Sequence, residues 1–167
     1  IFSSPQEQIE KEKSTQNFSQ DNQSTEKEKN AYTTEKSKTE KSKEKFNEDI
    51  IAAVIEGCTK TDNGIYYQIL KEGSGSVKGK GKSATVEYRG YKIDGTIFDA
   101  SKEFHPQGHE PLSFIVGAGQ MIAGFDQMVS EMKIGETRKM VIPPELAYGA
   151  RGIPEVGISG GDYICFD

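Results

Sequence analysis

The sequence predicts an α+β domain, an antiparallel sheet of five to six strands covered by one short helix and preceded by a disordered tail. Three observations carry this. All 18 glycines fall from Gly57 onward, so turn-forming chain begins only there. Short alternating runs separated by turn residues recur through the later two thirds. Among them, Met121, Ile122, Phe125, Met128, Val129 and Met132 follow helical spacing, with Gly135 as the expected stop.

Residues 1–45 are rich in Lys, Glu, Ser, Thr, Gln and Asn. Their nine lysines cancel eight glutamates and one aspartate, so the net charge of −5 belongs to residues 46–167. A segment with so few apolar side chains cannot offset the entropy of ordering its backbone, and disorder is expected over 1–45. Residues 46–60 read as a short helix and linker, with Asn47 as N-cap and Gly57 as stop. Its apolar positions Ile50, Ile51, Val54 and Ile55 form one face, suited to packing on the following domain or to a partner helix.

From 61 to 167 the elements follow in order. Thr61–Gly64 is a turn and Ile65–Lys71 an alternating strand, followed by loop from Gly73 to Lys82. In the next strand Ala84, Val86 and Tyr88 share one face while Tyr91 and Ile93 run out of step, so a bulge is expected at Gly90. Asp94-Gly95 forms a hairpin turn into Thr96–Asp99. A loop over 100–111 precedes the strand Leu112–Val116. After the helix, Thr137–Ile142 alternates until Pro143-Pro144 ends it, and Tyr163–Phe166 opens a last strand.

Composition narrows the function classes. An acidic balance in the folded part argues against nucleic acid. Cys58 and Cys165 are too few and too far apart for a disulfide framework or a C-x-x-C site and read as packing residues. The longest apolar run, Ile50–Ile55, is far short of the roughly 20 residues a membrane span needs. The chain begins at Ile1, which leaves the compartment open, and an extracytoplasmic or envelope-attached location is favoured over the cytoplasm. His105 and His109 share a loop, but Pro106 and Gly108 deny them the helix that would align them on a metal, so they read as solvated.

Three phrases remain: Val86-Glu-Tyr-Arg-Gly with Asp94-Gly-Thr-Ile-Phe-Asp-Ala-Ser101, then Phe114-Ile-Val-Gly-Ala-Gly-Gln-Met-Ile-Ala-Gly-Phe125, then Ile142-Pro-Pro-Glu-Leu-Ala-Tyr-Gly149. Together they resemble the signature of the FKBP-type peptidyl-prolyl cis/trans isomerases over about Thr61 to Asp167. The resemblance implies a sheet wrapped around the helix, with an apolar cup between them. Its catalytic set here would be Tyr88, Phe98, Asp99, Ile122, Phe125, Tyr148 and Phe166, with Leu112, Met121 and Ile153 binding substrate. Phe125 stands where the family usually has tryptophan, Leu112 replaces a common aromatic, and Ile153 replaces a common histidine. Asp99, flanked by Tyr88, would orient the Tyr148 hydroxyl or accept a substrate N–H. On residue type alone Phe98, Met121, Phe125 and Phe166 read equally as plain core.

The resemblance implies an isomerase of X-Pro bonds in unfolded or loop segments that needs no cofactor and no metal. Its partners would be proline-containing polypeptides, with macrolides of the rapamycin type as candidate ligands and no nucleic acid. The rival readings are a non-catalytic proline-peptide-binding chaperone module, and an interaction protein whose tail is the working part. The family's last strand runs several residues past Phe166-Asp167, so the resemblance also implies a strand cut short here.

Overall fold

The computed structural model describes residues 38, 41–42, 45–77 and 79–167. The chain divides into two units, Ile1–Asp49 and Ile50–Asp167. In the first, the described residues are all helical, and the expected disorder over 1–45 lies almost wholly outside them. Helix α1 covers 45–54, so Asn47 lies inside it and is not its N-cap. Gly57 does follow the helix, in the left-handed region at φ 75°, where a side chain would be strained.

The second unit is an antiparallel sheet around one principal helix. Strands β1 (Thr59–Lys60), β2 (Tyr66–Lys71), β5 (Arg89–Lys92), β6 (Ile97–Ala100), β9 (Thr137–Ile142) and β10 (Ile164–Phe166) form a six-stranded sheet in the order β1-β2-β9-β10-β5-β6. Two shorter pairs flank it, β4 (Ser83–Val86) with β7 (Leu112–Ile115) and β3 (Ser74–Val77) with β8 (Lys133–Ile134). The sheet thus begins at Thr59, inside the stretch read as linker, and part of the expected Gly73–Lys82 loop is strand β3. Glycine and serine gave β3 no apolar alternation to betray it.

The phase change between Val86 and Tyr91 has two causes. The chain leaves β4, which pairs with β7, and enters β5, which pairs with β10 and β6. The register against β6 then shifts between Gly90 and Tyr91, the bulge expected there. Helix α2 spans Ala123–Glu131, shorter than the spacing suggests. Ile122 is its N-cap with extended backbone, Met132 ends it in the β region, and Gly135 (φ 78°) instead turns β8 into β9. The buried face of α2 includes Phe125, Met128 and Val129, which join Ile65, Phe114, Met140, Ile142, Ile158, Ile164 and Phe166 in one core. Beside this core a cleft of about 350 Å³ opens, lined by Ala84, Val86, Tyr88, Phe125, Val129 and Met140 among others.

Two charged residues, Asp126 and Arg138, are buried among the described residues. Arg138 on β9 is 5% exposed, donates from Nε to Glu136 Oε1 at 2.7 Å and lies over the Tyr67 ring at 4.8 Å. The Glu136 side chain is itself 2% exposed. Without Glu136, Arg138 would keep only the half-exposed Glu131, 3.5 Å away, to compensate its buried charge, whereas exposed pairs are screened by water. Glu136→Ala should therefore lose about 3–5 kcal/mol of unfolding free energy in urea titration. Glu110→Ala, which breaks the exposed pair with Lys102, should lose less than about 1 kcal/mol.

Candidate active site

The sequence places Tyr88 at the entry to β5, Phe98 and Asp99 on β6, Phe125 on the first turn of α2 and Phe166 at the end of β10. Folding brings their rings together. Phe125 and Phe166 lie edge to face with centroids 4.9 Å apart, and Tyr88 stands 6.4 Å from each. Phe98 meets Phe166 at 6.1 Å and Tyr148 at 6.4 Å, both near perpendicular. Such edge-on pairs contribute about 0.5–1.5 kcal/mol each beyond the area they bury. Tyr88, Phe125 and Phe166 are buried, while Phe98 and Tyr148 keep one side open. The five rings form one contiguous apolar cluster, buried at Tyr88, Phe125 and Phe166 and half-exposed at Phe98 and Tyr148.

Gly90 permits this approach. A methyl group there would lie 2.9 Å from Cε1 of Phe166 and 2.9 Å from Cζ of Phe98, inside normal contact for both rings. Leu112, Met121, Ile122 and Ile153 are half-buried against the same core. Ile153 is fixed by reciprocal backbone hydrogen bonds with Ile158 across the 3₁₀ turn Pro154–Val156. Tyr148 follows the 3₁₀ turn Pro144–Leu146, where Gly149 N–H donates to Pro144 O at 2.8 Å.

The polar groups divide into bound and free. Tyr88 donates its hydroxyl to Asp99 Oδ2 at 2.7 Å, so the hydroxyl that Asp99 holds is that of Tyr88 and not of Tyr148. The Tyr148 hydroxyl and the Ile122 N–H have no hydrogen-bond acceptor among the described residues. Burial, then the hydrogen bond to Asp99, pushes the Tyr88 hydroxyl well above the ordinary tyrosine range. Burial, then the charge of Asp99, raises Tyr148 as well. Both hydroxyls therefore stay protonated, and the one on Tyr148 remains a donor.

A family model described as FKBP-type peptidyl-prolyl cis-trans isomerase matches residues 75–167. The chain belongs to this family. FK506-binding protein 1 of Dictyostelium discoideum is 44% identical over 89 residues, 53% of this chain and 79% of that protein. The FK506-binding protein of Neisseria meningitidis serogroup B is 42% identical, over 53% of this chain and 78% of its own length. Among solved structures, AtFKBP13 superposes with TM-score 0.60 at 31% identity, covering 66% of this chain and 93% of that one. FkpA from Escherichia coli superposes with TM-score 0.58 at 30% identity, covering 99% of this chain and 70% of that one. Like its family, the protein is a peptidyl-prolyl cis/trans isomerase of the FKBP fold.

Two features of the FKBP-type cup escaped sequence reasoning. Ser101 is fully buried and binds both ends of the Tyr88 peptide unit, accepting from Tyr88 N at 3.0 Å and donating to Tyr88 O at 3.3 Å. Nothing local marks a serine for that role. His109, read as solvated, does stand exposed, yet its Nε2 lies 3.5 Å from Asp99 Oδ1. Only the loop's path back to β6 places it there.

Crowding at Gly90 gives a direct test of the cup. Gly90→Ala should lower stability by about 1–3 kcal/mol by overpacking. At temperatures where the variant stays folded, its turnover of an X-Pro peptide should also fall, as measured by exchange NMR. A Gly90→Ala protein with full turnover and unchanged Tm would mean that Phe98 and Phe166 do not need this contact.

Proposed function

We propose that the cup isomerises X-Pro bonds by holding the prolyl ring and favouring a twisted amide. The ring would lie on Phe125, between Phe98, Phe166 and Tyr88, with Leu112, Met121 and Ile153 at the rim. Tyr148 Oη and Ile122 N would donate to the carbonyls on either side. The supporting observation is the pairing of this ring cluster with two donors that no described acceptor engages.

The chemistry asks for little else. Amide resonance opposes rotation by ~18–20 kcal/mol, and rotation breaks that resonance without moving a proton. The twisted amide is less charge-separated than the planar one, so an apolar wall disfavours the ground state relative to the transition state. Each hydrogen bond offered to a carbonyl contributes on the order of 1 kcal/mol net. Asp99 serves by fixing Tyr88, the wall against which Phe125 and Phe166 pack.

The physiological substrates in this reading are proline-containing segments of unfolded chains or loops. Macrolides of the rapamycin type would compete for the same wall, a reading supported by FK506-binding relatives and by the open, apolar lip. Phe98→Ala should abolish most peptide turnover and weaken macrolide binding at least tenfold, if the protein is shown to be folded. Tyr148→Phe should reduce turnover about fivefold, the equivalent of one hydrogen bond, and leave the ring contact with Phe98 intact. Full turnover in folded Phe98→Ala would refute the proposed wall. Macrolide binding without any turnover in the unaltered protein would favour the non-catalytic binding module.

A further inference from the structure

Asp126 is buried on the first turn of α2, next to Phe125, and the proposed chemistry makes no use of its side chain. Its Oδ1 accepts from Gly117 N–H at 2.7 Å, and its own N–H donates to Ile122 O at 3.1 Å. One residue therefore holds both ends of Gly117–Ile122, the stretch that leaves β7 and enters the helix. A helical Cα–Cβ bond tilts toward the helix N-terminus, so a side chain on the first turn reaches back to the incoming chain.

That stretch has few other constraints. Residues 117–120 are exposed, and Gly117 and Gly119 lie in the left-handed region at φ 76° and 73°, where glycine has much conformational freedom to lose. Gln120 Oε1 accepts from Ile115 N–H at 2.8 Å and Ala118 N–H donates to Ile115 O at 3.2 Å, but both bonds tie the loop to β7 alone. The helix start is fixed separately by Gly124, where a methyl group would lie 2.4 Å from Cγ2 of Ile142. The bond from Gly117 to Asp126 is the only side-chain hydrogen bond among the described residues that joins this loop to α2.

We infer that Asp126 is a positioning residue of the isomerase, whose hydrogen bond with Gly117 sets where the Ile122 N–H stands at the cup. The inference rests on Ile122 N–H being a substrate donor, as proposed above. Ile122 has extended backbone (φ −56°, ψ 144°), so the preceding loop, and not a helical hydrogen bond, directs its N–H. With the loop tied at Gly117, the donor meets a carbonyl already ordered. With that tie removed, ordering the loop opposes each encounter.

Two measurements test this together: turnover of an X-Pro peptide by exchange NMR, and the Ile122 amide signal with and without that peptide. In the unaltered protein the peptide should shift the Ile122 amide. Asp126→Ala should lower kcat/KM about three- to tenfold, the equivalent of one hydrogen bond, and remove that shift. Asp126→Asn keeps an oxygen that accepts from Gly117 N–H and should restore both. Val129→Ala, which deletes core volume from the same helix, should lose stability yet keep turnover and the amide shift wherever it is folded. Should Asp126→Ala fail to fold, Asp126→Ser, whose hydroxyl lies nearer the backbone, is expected to show the same losses. Full turnover with an intact Ile122 shift in either folded variant, or equal losses in Asp126→Asn, would overturn the inference alone. An Ile122 amide that the peptide leaves unmoved in the active, unaltered protein would refute the donor reading of Ile122 and this inference with it.

Discussion

The contact between Phe125 and Phe166, with ring centroids 4.9 Å apart, fastens the helix to the sheet and, in the proposed site, also forms the floor of the binding wall. Both rings belong to the core that also holds Met128, Met140 and Ile164. Core and site therefore share atoms, and the shape of the cup follows from how α2 seats on β9 and β10. Gly90 shows the constraint from the other side, since the rings approach only where the crossing strand has no side chain. An apolar cup of this kind resists alteration, because a residue that widens it also leaves a cavity in the core.

The polar groups are organised to stay constant. Burial and Asp99 keep the two tyrosine hydroxyls protonated, one tied back to the carboxylate and one, in the proposed site, offered to a substrate carbonyl. Cys165, pushed up to about 12 by burial, is likewise kept a neutral packing residue within the sheet. Nothing in the proposed reaction draws on a nucleophile or a proton relay. The β6–β7 loop brings His109 Nε2 to 3.5 Å from Asp99 Oδ1.

Much of this was legible in the sequence because aromatics and glycines fall at fixed places in three phrases. Tyr88, Phe98, Asp99, Phe125, Tyr148 and Phe166 converge as the family resemblance implies, and alternation alone located β2, β7 and β9. Spacing misjudged what depends on tertiary partners. Helical periodicity ran through Met121 and Met132, yet Ile122 and Met132 are extended because the chain there turns into and out of α2. Strand β3 lacks apolar alternation and exists through its pairing with β8. Likewise Asp99 accepts from Tyr88 rather than from Tyr148, and the exposed His109 also stands 3.5 Å from Asp99, relations that cross between elements.

The central claim is that turnover proceeds by burial and amide twisting without proton transfer. It is tested most directly by kcat/KM for a neutral X-Pro peptide between pH 7.5 and 9.5, measured in H₂O and in D₂O. In this window the raised hydroxyls of Tyr88 and Tyr148 remain protonated. The account predicts a level profile and a solvent isotope effect of about 1. A bell-shaped profile, or a substantial isotope effect, would show that a proton moves in the rate-limiting step and would contradict it.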